Sequence, residues 1–159
     1  MKTAFKLPNR GLVLVAAIAI FCQGCFLSAQ HSLYRPIHDF AKSGDVAGVE
    51  QELTKNPKFL NWPEDGGFTP LHLAAIRCRT NVVALLLERG ADVERKSKDG
   101  SRPLHLAAQE GCTNVVNLLL AGKAKINARD SKGQTPLTRA EEWKQSATVD
   151  LLREHGGTE

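Results

Sequence analysis

The stretch from Gly67 to Gly90 contains two apolar runs separated by polar residues. A short apolar run follows Thr69 and Pro70, a polar break separates it from a second run, and that second run closes on a glycine. Apolar side chains three and four positions apart place one buried stripe on an α-helix. The stretch therefore predicts two short helices joined by a tight turn.

The same pattern returns 33 residues later from Gly100 and again from Gly133. A more divergent copy comes first, with Pro36-Ile37-His38 standing 34 residues before Pro70-Leu71-His72. A fixed period of this length indicates stacked units, because each unit can bury its apolar face only against its neighbours. We predict an all-α solenoid of four helix-turn-helix repeats within residues 35–159, at about 35–63, 64–96, 97–129 and 130–159.

This repeat resembles the ankyrin repeat. The resemblance rests on Thr69-Pro70-Leu71-His72, on the following Ala74-Ala75, on the leucine triplet of the second helix and on the 33-residue period. It implies β-turn fingers between repeats. It also implies that His72 and His105 bond backbone groups around the turn and in the neighbouring repeat, so two histidines one period apart need no metal.

The last copy departs from the pattern at apolar positions. Arg139 aligns with Leu73 and Leu106, Glu141 aligns with Ala75 and Ala108, and Arg153 aligns with Leu87 and Leu120. Terminal repeats of a solenoid need a polar outer face. We expect these three side chains to cover the end of the stack after four repeats.

Residues 1–24 have the features of a secretory signal peptide. A positively charged start precedes the apolar run from Gly11 to Phe21, which is short for a membrane span of about 20 residues. Gly24-Cys25 resembles the end of a bacterial lipobox, which would lipidate Cys25, although Cys22 and Gln23 depart from that pattern. The alternatives are cleavage after Gly24 or Ala29, or an uncleaved anchor. Each places the repeats outside the cytoplasm, after a linker at 25–34.

Net charge does not indicate a nucleic-acid partner. The chain carries +4, but without Lys2, Lys6 and Arg10 of the leader 18 basic residues face 17 acidic ones. Binding to phosphates through bulk charge is therefore not expected. The sequence also contains no phosphate-binding glycine loop, nucleophile elbow or metal-spaced His/Cys cluster. We predict neither an enzyme nor a bound cofactor or metal.

Two cysteines lie beyond the leader region. Cys78 takes the inter-helix position that Gly111 fills in the next copy, where a positive φ is favoured, and Cys112 follows Gly111. In an oxidising exported compartment a Cys78–Cys112 disulfide is the sharper hypothesis. The alternative is two independent small residues, because equivalent atoms of stacked repeats usually lie beyond the ~7 Å Cα limit for bridging.

The resemblance also assigns a candidate partner-binding surface. Ankyrin repeats bind through turn tips, the fingertips, and through exposed positions of the inner helices, the palm. Carried over position by position, the fingertips include Tyr34, Asp65, Phe68, Lys98, Ser101, Lys132 and Gln134. The palm includes Ile76, Arg77, Gln109, Glu110, Glu142 and Trp143.

The function predicted from these features is an exported bacterial protein-binding module. It would act as a monomer in the periplasm or at a membrane surface, docking a folded protein on a preformed concave face. One alternative is an inhibitor or immunity protein that blocks a toxic enzyme of the cell envelope. Another is a lipoprotein that scaffolds an envelope assembly. The sequence does not choose among them.

Overall fold

The computed structural model describes residues 35–159, which form four helix pairs. The described part of the chain contains no β-strand. Its elements are α1 (Arg35–Ser43), α2 (Val46–Lys55), a 3-10 helix (Pro57–Asn61), α3 (Pro70–Ile76), α4 (Thr80–Glu88), α5 (Pro103–Gln109), α6 (Thr113–Ala121), α7 (Pro136–Glu142) and α8 (Ser146–Glu154).

The inner helices begin where the sequence places Pro at the first helical position. Pro70 starts α3, and Thr69 precedes it as N-cap in an extended conformation. The Thr69 backbone N–H donates to Nδ1 of His72 at 3.2 Å. Proline loses no useful donor there, because the first N–H groups of a helix have no intrahelical acceptor. The repeated motif therefore sets the start of α3, α5 and α7, whereas α1 begins one residue before Pro36.

The core is a double layer of inner and outer helices. The inner helices α1, α3, α5 and α7 pack one on the next in this order, and the outer helices α2, α4, α6 and α8 do the same. Ala74, Ala107 and Ala140 of the inner layer are fully buried. Because alanine has a small side chain, these positions allow neighbouring inner helices to approach closely.

The fingers connect repeats by direct backbone hydrogen bonds. The N–H of Lys98 donates to the carbonyl of Gly66 at 2.8 Å, and that of Ser131 donates to Asp99 at 3.1 Å. A Cβ on Gly67 would lie 2.9 Å from the Lys98 nitrogen, and that glycine has a φ of +82°. Glycine is therefore required there both for its conformation and for the close approach of the next finger.

Buried histidines tie the second and third repeats to the ones that follow. Nε2 of His72 lies 3.2 Å from the carbonyl of Ser101, and Nε2 of His105 lies 3.2 Å from that of Gln134. Burial lowers the pKa of His72 to about 4, against 6.5 ordinarily. Since its Nδ1 accepts the Thr69 N–H, the neutral imidazole is the form that fits these contacts.

The last helix pair is polar at its outer side, as predicted for two of the three residues. Arg153 and Glu141 form an ion pair of 2.6 Å between α8 and α7. The prediction for Arg139 is wrong, because its side chain is buried and turns back towards the preceding repeat. The final residues instead continue the repeat contacts, with the Thr158 N–H donating to Asn127 at 2.8 Å.

Candidate functional site

The fingertip residues differ widely in exposure. Asp65, Lys98 and Lys132 are exposed, and Gln134 is half-buried with its amide donating to Glu142 at 2.8 Å. Tyr34 lies outside the described residues. The exposed three remain available to a partner on successive turns.

Ser101 was predicted to contact a partner, and that prediction is wrong. Its side chain is completely buried and donates to Asp99 at 2.6 Å. Its hydroxyl oxygen also accepts from the Arg139 guanidinium at 2.8 Å. Ser101 therefore orders the turn from within and offers no surface.

Phe68 packs on its own turn. Its ring is half-buried and meets His72 edge-to-face, with centroids 5.9 Å apart. A Cβ on Gly66 would lie 2.9 Å from the Phe68 ring. Part of the ring is accessible, but these contacts give Phe68 a role in the turn that does not depend on a partner.

The palm residues lie at the carboxyl ends of α3, α5 and α7. Ile76, Gln109 and Glu142 end these helices, and the next residue in each case is the C-cap. The caps are Arg77, Glu110 and Trp143, and all three are exposed. Trp143 exposes 55% of its surface. A tryptophan that covered the end of the stack would be largely buried. The palm thus presents a basic, an acidic and an aromatic side chain in successive repeats.

Sequence reasoning missed a buried polar network behind the fingers. Arg139 is 7% exposed, and its Nη2 lies 2.6 Å from Asp130, whose side chain is fully buried. The guanidinium also donates to Ser101 and Gln109 and lies 3.5 Å from Asp99. The sequence does contain a signal for this network, because two positions of the fourth repeat depart from the repeat pattern together. Arg139 replaces a leucine, and Asp130 aligns with Ser97.

The acids of this network are held in their charged form. Burial raises the pKa of Asp99, but hydrogen bonds from Ser101 and Ser97 outweigh it and lower the pKa to about 2. Burial likewise raises the pKa of Asp130, and the bond from Arg139 leads the interactions that bring it below its ordinary value. The network is therefore a fixed ionic support between the third and fourth repeats.

Cys78 and Cys112 meet across two neighbouring turns. Their sulfurs are bonded and their Cα atoms are 5.3 Å apart, within the bridging range. Cys78 is exposed and has a φ of +52°, whereas Cys112 is 5% exposed. Cys78 follows the C-cap of α3 and Cys112 is the N-cap of α6, so the bond joins the second and third repeats.

Within 35–159 no group of three or more His, Cys, Asp or Glu side chains is arranged to hold a metal ion. None of the helices in that range is long and apolar enough to cross a membrane. Cys25, the predicted lipidation site, lies outside the described residues.

Stacked helix-turn-helix units joined by fingers define the class of protein. The family description "Ankyrin repeats (3 copies)" matches residues 90–159, and "Ankyrin repeat" matches residues 66–98. Together these matches span more than half of the chain. The chain belongs to the ankyrin-repeat family. Proteins of this kind are typically interaction modules without catalytic activity of their own.

Known proteins share a short part of their length with this chain. Mouse 2-5A-dependent ribonuclease is 40% identical over 60 residues, which are 38% of this chain and 8% of the ribonuclease. Human DNA-binding protein RFXANK is 35% identical over 63 residues, 40% of this chain and 24% of RFXANK. Fowlpox virus putative ankyrin repeat protein FPV240 is 41% identical over 64 residues, 40% of this chain and 15% of FPV240. The chain therefore spans less than a quarter of each relative's length, and the similarity lies at the level of the repeat.

Proposed function

We propose that this chain is an exported protein-binding module whose palm and fingertips dock a folded protein. The observation that carries the proposal is the exposure of Trp143, at 55%, on the palm of the fourth repeat. Tryptophan and arginine are the residue types that most often dominate binding energy when a partner buries them. Arg77 stands at the equivalent place two repeats earlier and is also exposed.

The scaffold behind this surface supports recognition by a preformed face. The palm residues follow inner helices whose alanines are fully buried, and the fingers are joined by backbone hydrogen bonds. A surface held in this way loses little conformational entropy when a partner binds. We expect a partner with an acidic group opposite Arg77 and an apolar contact for Trp143.

Export is the second part of the proposal. It is supported by the charged start and apolar run of residues 1–24, and attachment by a lipid on Cys25 is supported by Gly24-Cys25. Metabolic labelling with a fatty-acid analogue checks the anchor. We expect labelled protein in the membrane fraction and no label on Cys25→Ser, whereas equal labelling of the variant would rule out this attachment site.

Affinity capture from an envelope extract tests partner binding. Trp143→Ala and Arg77→Ala should each retain the helical circular dichroism of the unchanged protein and weaken capture of the same partner at least tenfold, a typical loss for a central interface residue. Glu88→Ala is the matched control, because Glu88 is exposed on the outer helix α4. Capture that survives both palm substitutions would refute docking on this face.

A further inference from the structure

The two cysteines of the Cys78–Cys112 bond differ in exposure. Cys78 lies exposed in its turn, whereas Cys112 is 5% exposed and its Sγ is 3.4 Å from the carbonyl oxygen of Ala75. Exchange between a thiol and a disulfide requires a thiolate to reach one sulfur in line with the bond. On access alone, attack is directed to Cys78.

A groove beside Cys78 offers a place for the attacking molecule. The groove has a volume of about 300 Å³ and is lined by Ser43, Gly44, Cys78, Arg79, Thr80, Asn81 and Val82. Arg79 is the one charged side chain among these lining residues. Its Nε donates to the carbonyl of Lys42 at 2.9 Å, and it makes no ion pair with the described residues. Hydroxyl and amide groups complete a polar, positively charged wall.

We infer that Cys78 is a thiol-exchange site for a small acidic thiol, a peptide thiol bearing carboxylates, seated in this groove against Arg79. Its thiolate forms a bond to Cys78 Sγ while the bond to Cys112 breaks, and the electron pair remains on Cys112 Sγ, which then takes a proton from water. A second thiol attacks the mixed disulfide and releases Cys78 as a thiolate. The small thiol leaves as its own disulfide, and the protein gains two electrons and two protons.

Position-specific trapping tests the site. The oxidised full-length protein is treated briefly with reduced glutathione as the probe, acid-quenched, alkylated and mapped by peptide mass spectrometry. We expect glutathione on Cys78 and an alkyl group on Cys112. Glutathione on Cys112, an equal mixture of the two sites, or two free thiols in the protein before treatment would overturn the inference.

The charge dependence of the rate tests the groove. Arg79→Ala should slow exchange with glutathione about fivefold, as loss of one attractive charge near the surface implies. Exchange with neutral 2-mercaptoethanol should change less than twofold. Lys96→Ala is the matched control, because Lys96 is exposed but does not line the groove. Two outcomes would contradict binding of the thiol beside Arg79. In one, Arg79→Ala slows exchange with glutathione and with 2-mercaptoethanol equally. In the other, both variants slow exchange with glutathione equally. The outcome does not depend on the proposed protein partner.

Discussion

Buried polar side chains hold the repeats together at the residue scale. His72 spans from its own helix start to the next finger, and Arg139 joins Asp130 to the finger residue Ser101. Such groups stabilise a fold only while every partner is in place and in the correct charge state. The stability of the fold should therefore depend on pH and on whether both partners of a buried pair are replaced together.

Stability should decline as the pH falls below neutrality. His72 has a pKa of about 4 in the folded protein and 6.5 ordinarily, so the unfolded chain takes up a proton first. Its contribution is complete above about pH 6.5 and is lost as the pH falls through 4, a change of about 3 kcal/mol. Burial lowers the pKa of His105 as well, in the same sense.

Urea unfolding followed between pH 7.5 and pH 4.5 measures this slope. His72→Gln is the control, since glutamine has no titrating group. We expect the variant to be less stable at neutral pH but to show a shallower pH dependence. An unchanged slope would assign the dependence to other groups.

Replacing Arg139 with the leucine of the earlier repeats should destabilise the protein. Arg139→Leu leaves the fully buried Asp130 carboxylate without its cation, and breaking a buried pair from one side costs about 3 kcal/mol or more. The double variant Arg139→Leu with Asp130→Ser restores the pattern of the third repeat, in which Ser97 and Leu106 stand at these positions.

Denaturant midpoints compare the single and double variants. We expect the double variant to recover most of the free energy of unfolding that the single variant loses. A double variant as unstable as Arg139→Leu would show that the packing of Arg139, and not its charge, is what the fold requires.

At the scale of elements, the cross-link between two turns stands out. Helices α3 and α6 belong to different repeats, and the bond joins the end of one to the start of the other. Cys78 holds a positive φ that glycine adopts at the equivalent Gly111. A residue other than glycine is strained in that conformation. The bond therefore fixes a turn that the local sequence disfavours.

Reduction of this bond should weaken the fold without abolishing it. The two cysteines are 34 residues apart, and closing a loop of that size is worth about 4 kcal/mol in the chain-entropy description. We expect a lower melting temperature in reducing agent and a mass increase of two hydrogens for the disulfide. Cys78→Ser with Cys112→Ser should melt at one temperature with or without reductant. An equal melting temperature of the unchanged protein with and without reductant would show that the disulfide does not stabilise the fold.

Helix starts show how tertiary contacts offset a weak local signal. Arg102 stands where Thr69 and Thr135 precede the other inner helices, and the sequence predicts a weaker start there by about 1 kcal/mol. In the fold Arg102 pairs with Glu94 at 3.1 Å and donates to the carbonyl of Arg129 at 3.2 Å. The first contact lies within the loop between α4 and α5, and the second reaches the loop between α6 and α7, so both hold Arg102 where the threonine cap is missing.

On the scale of the whole molecule, the proposed binding surface and the core lie on different sides of the same repeats. The buried faces of both helix layers form one continuous core from Ile37 to Leu152. The carboxyl ends of the inner helices are left for Arg77, Glu110 and Trp143. Because the core does not constrain these side chains, substitutions there should change binding while leaving the fold intact.

Periodicity alone determined the helices and their order. The motif at Thr69-Pro70, the buried alanines and the leucine runs repeat every 33 residues, and each unit can bury its apolar face only by stacking. Local rules also account for the turn at Gly44 and the end of α2 before Pro57, because both depend on neighbours in the chain.

Only the tertiary structure decided which polar residues face water. Ser101 and Arg139 hold positions that the repeat pattern assigns to the surface and to the end of the stack, yet both are buried. The Arg139 guanidinium of the fourth repeat reaches Ser101 of the third and pairs with Asp130. The 5.3 Å separation of the Cys78 and Cys112 Cα atoms likewise depends on how two repeats stack. A periodic sequence specifies what each repeat buries against its neighbours, whereas contacts between non-equivalent side chains depend on the spacing and rotation of the repeats.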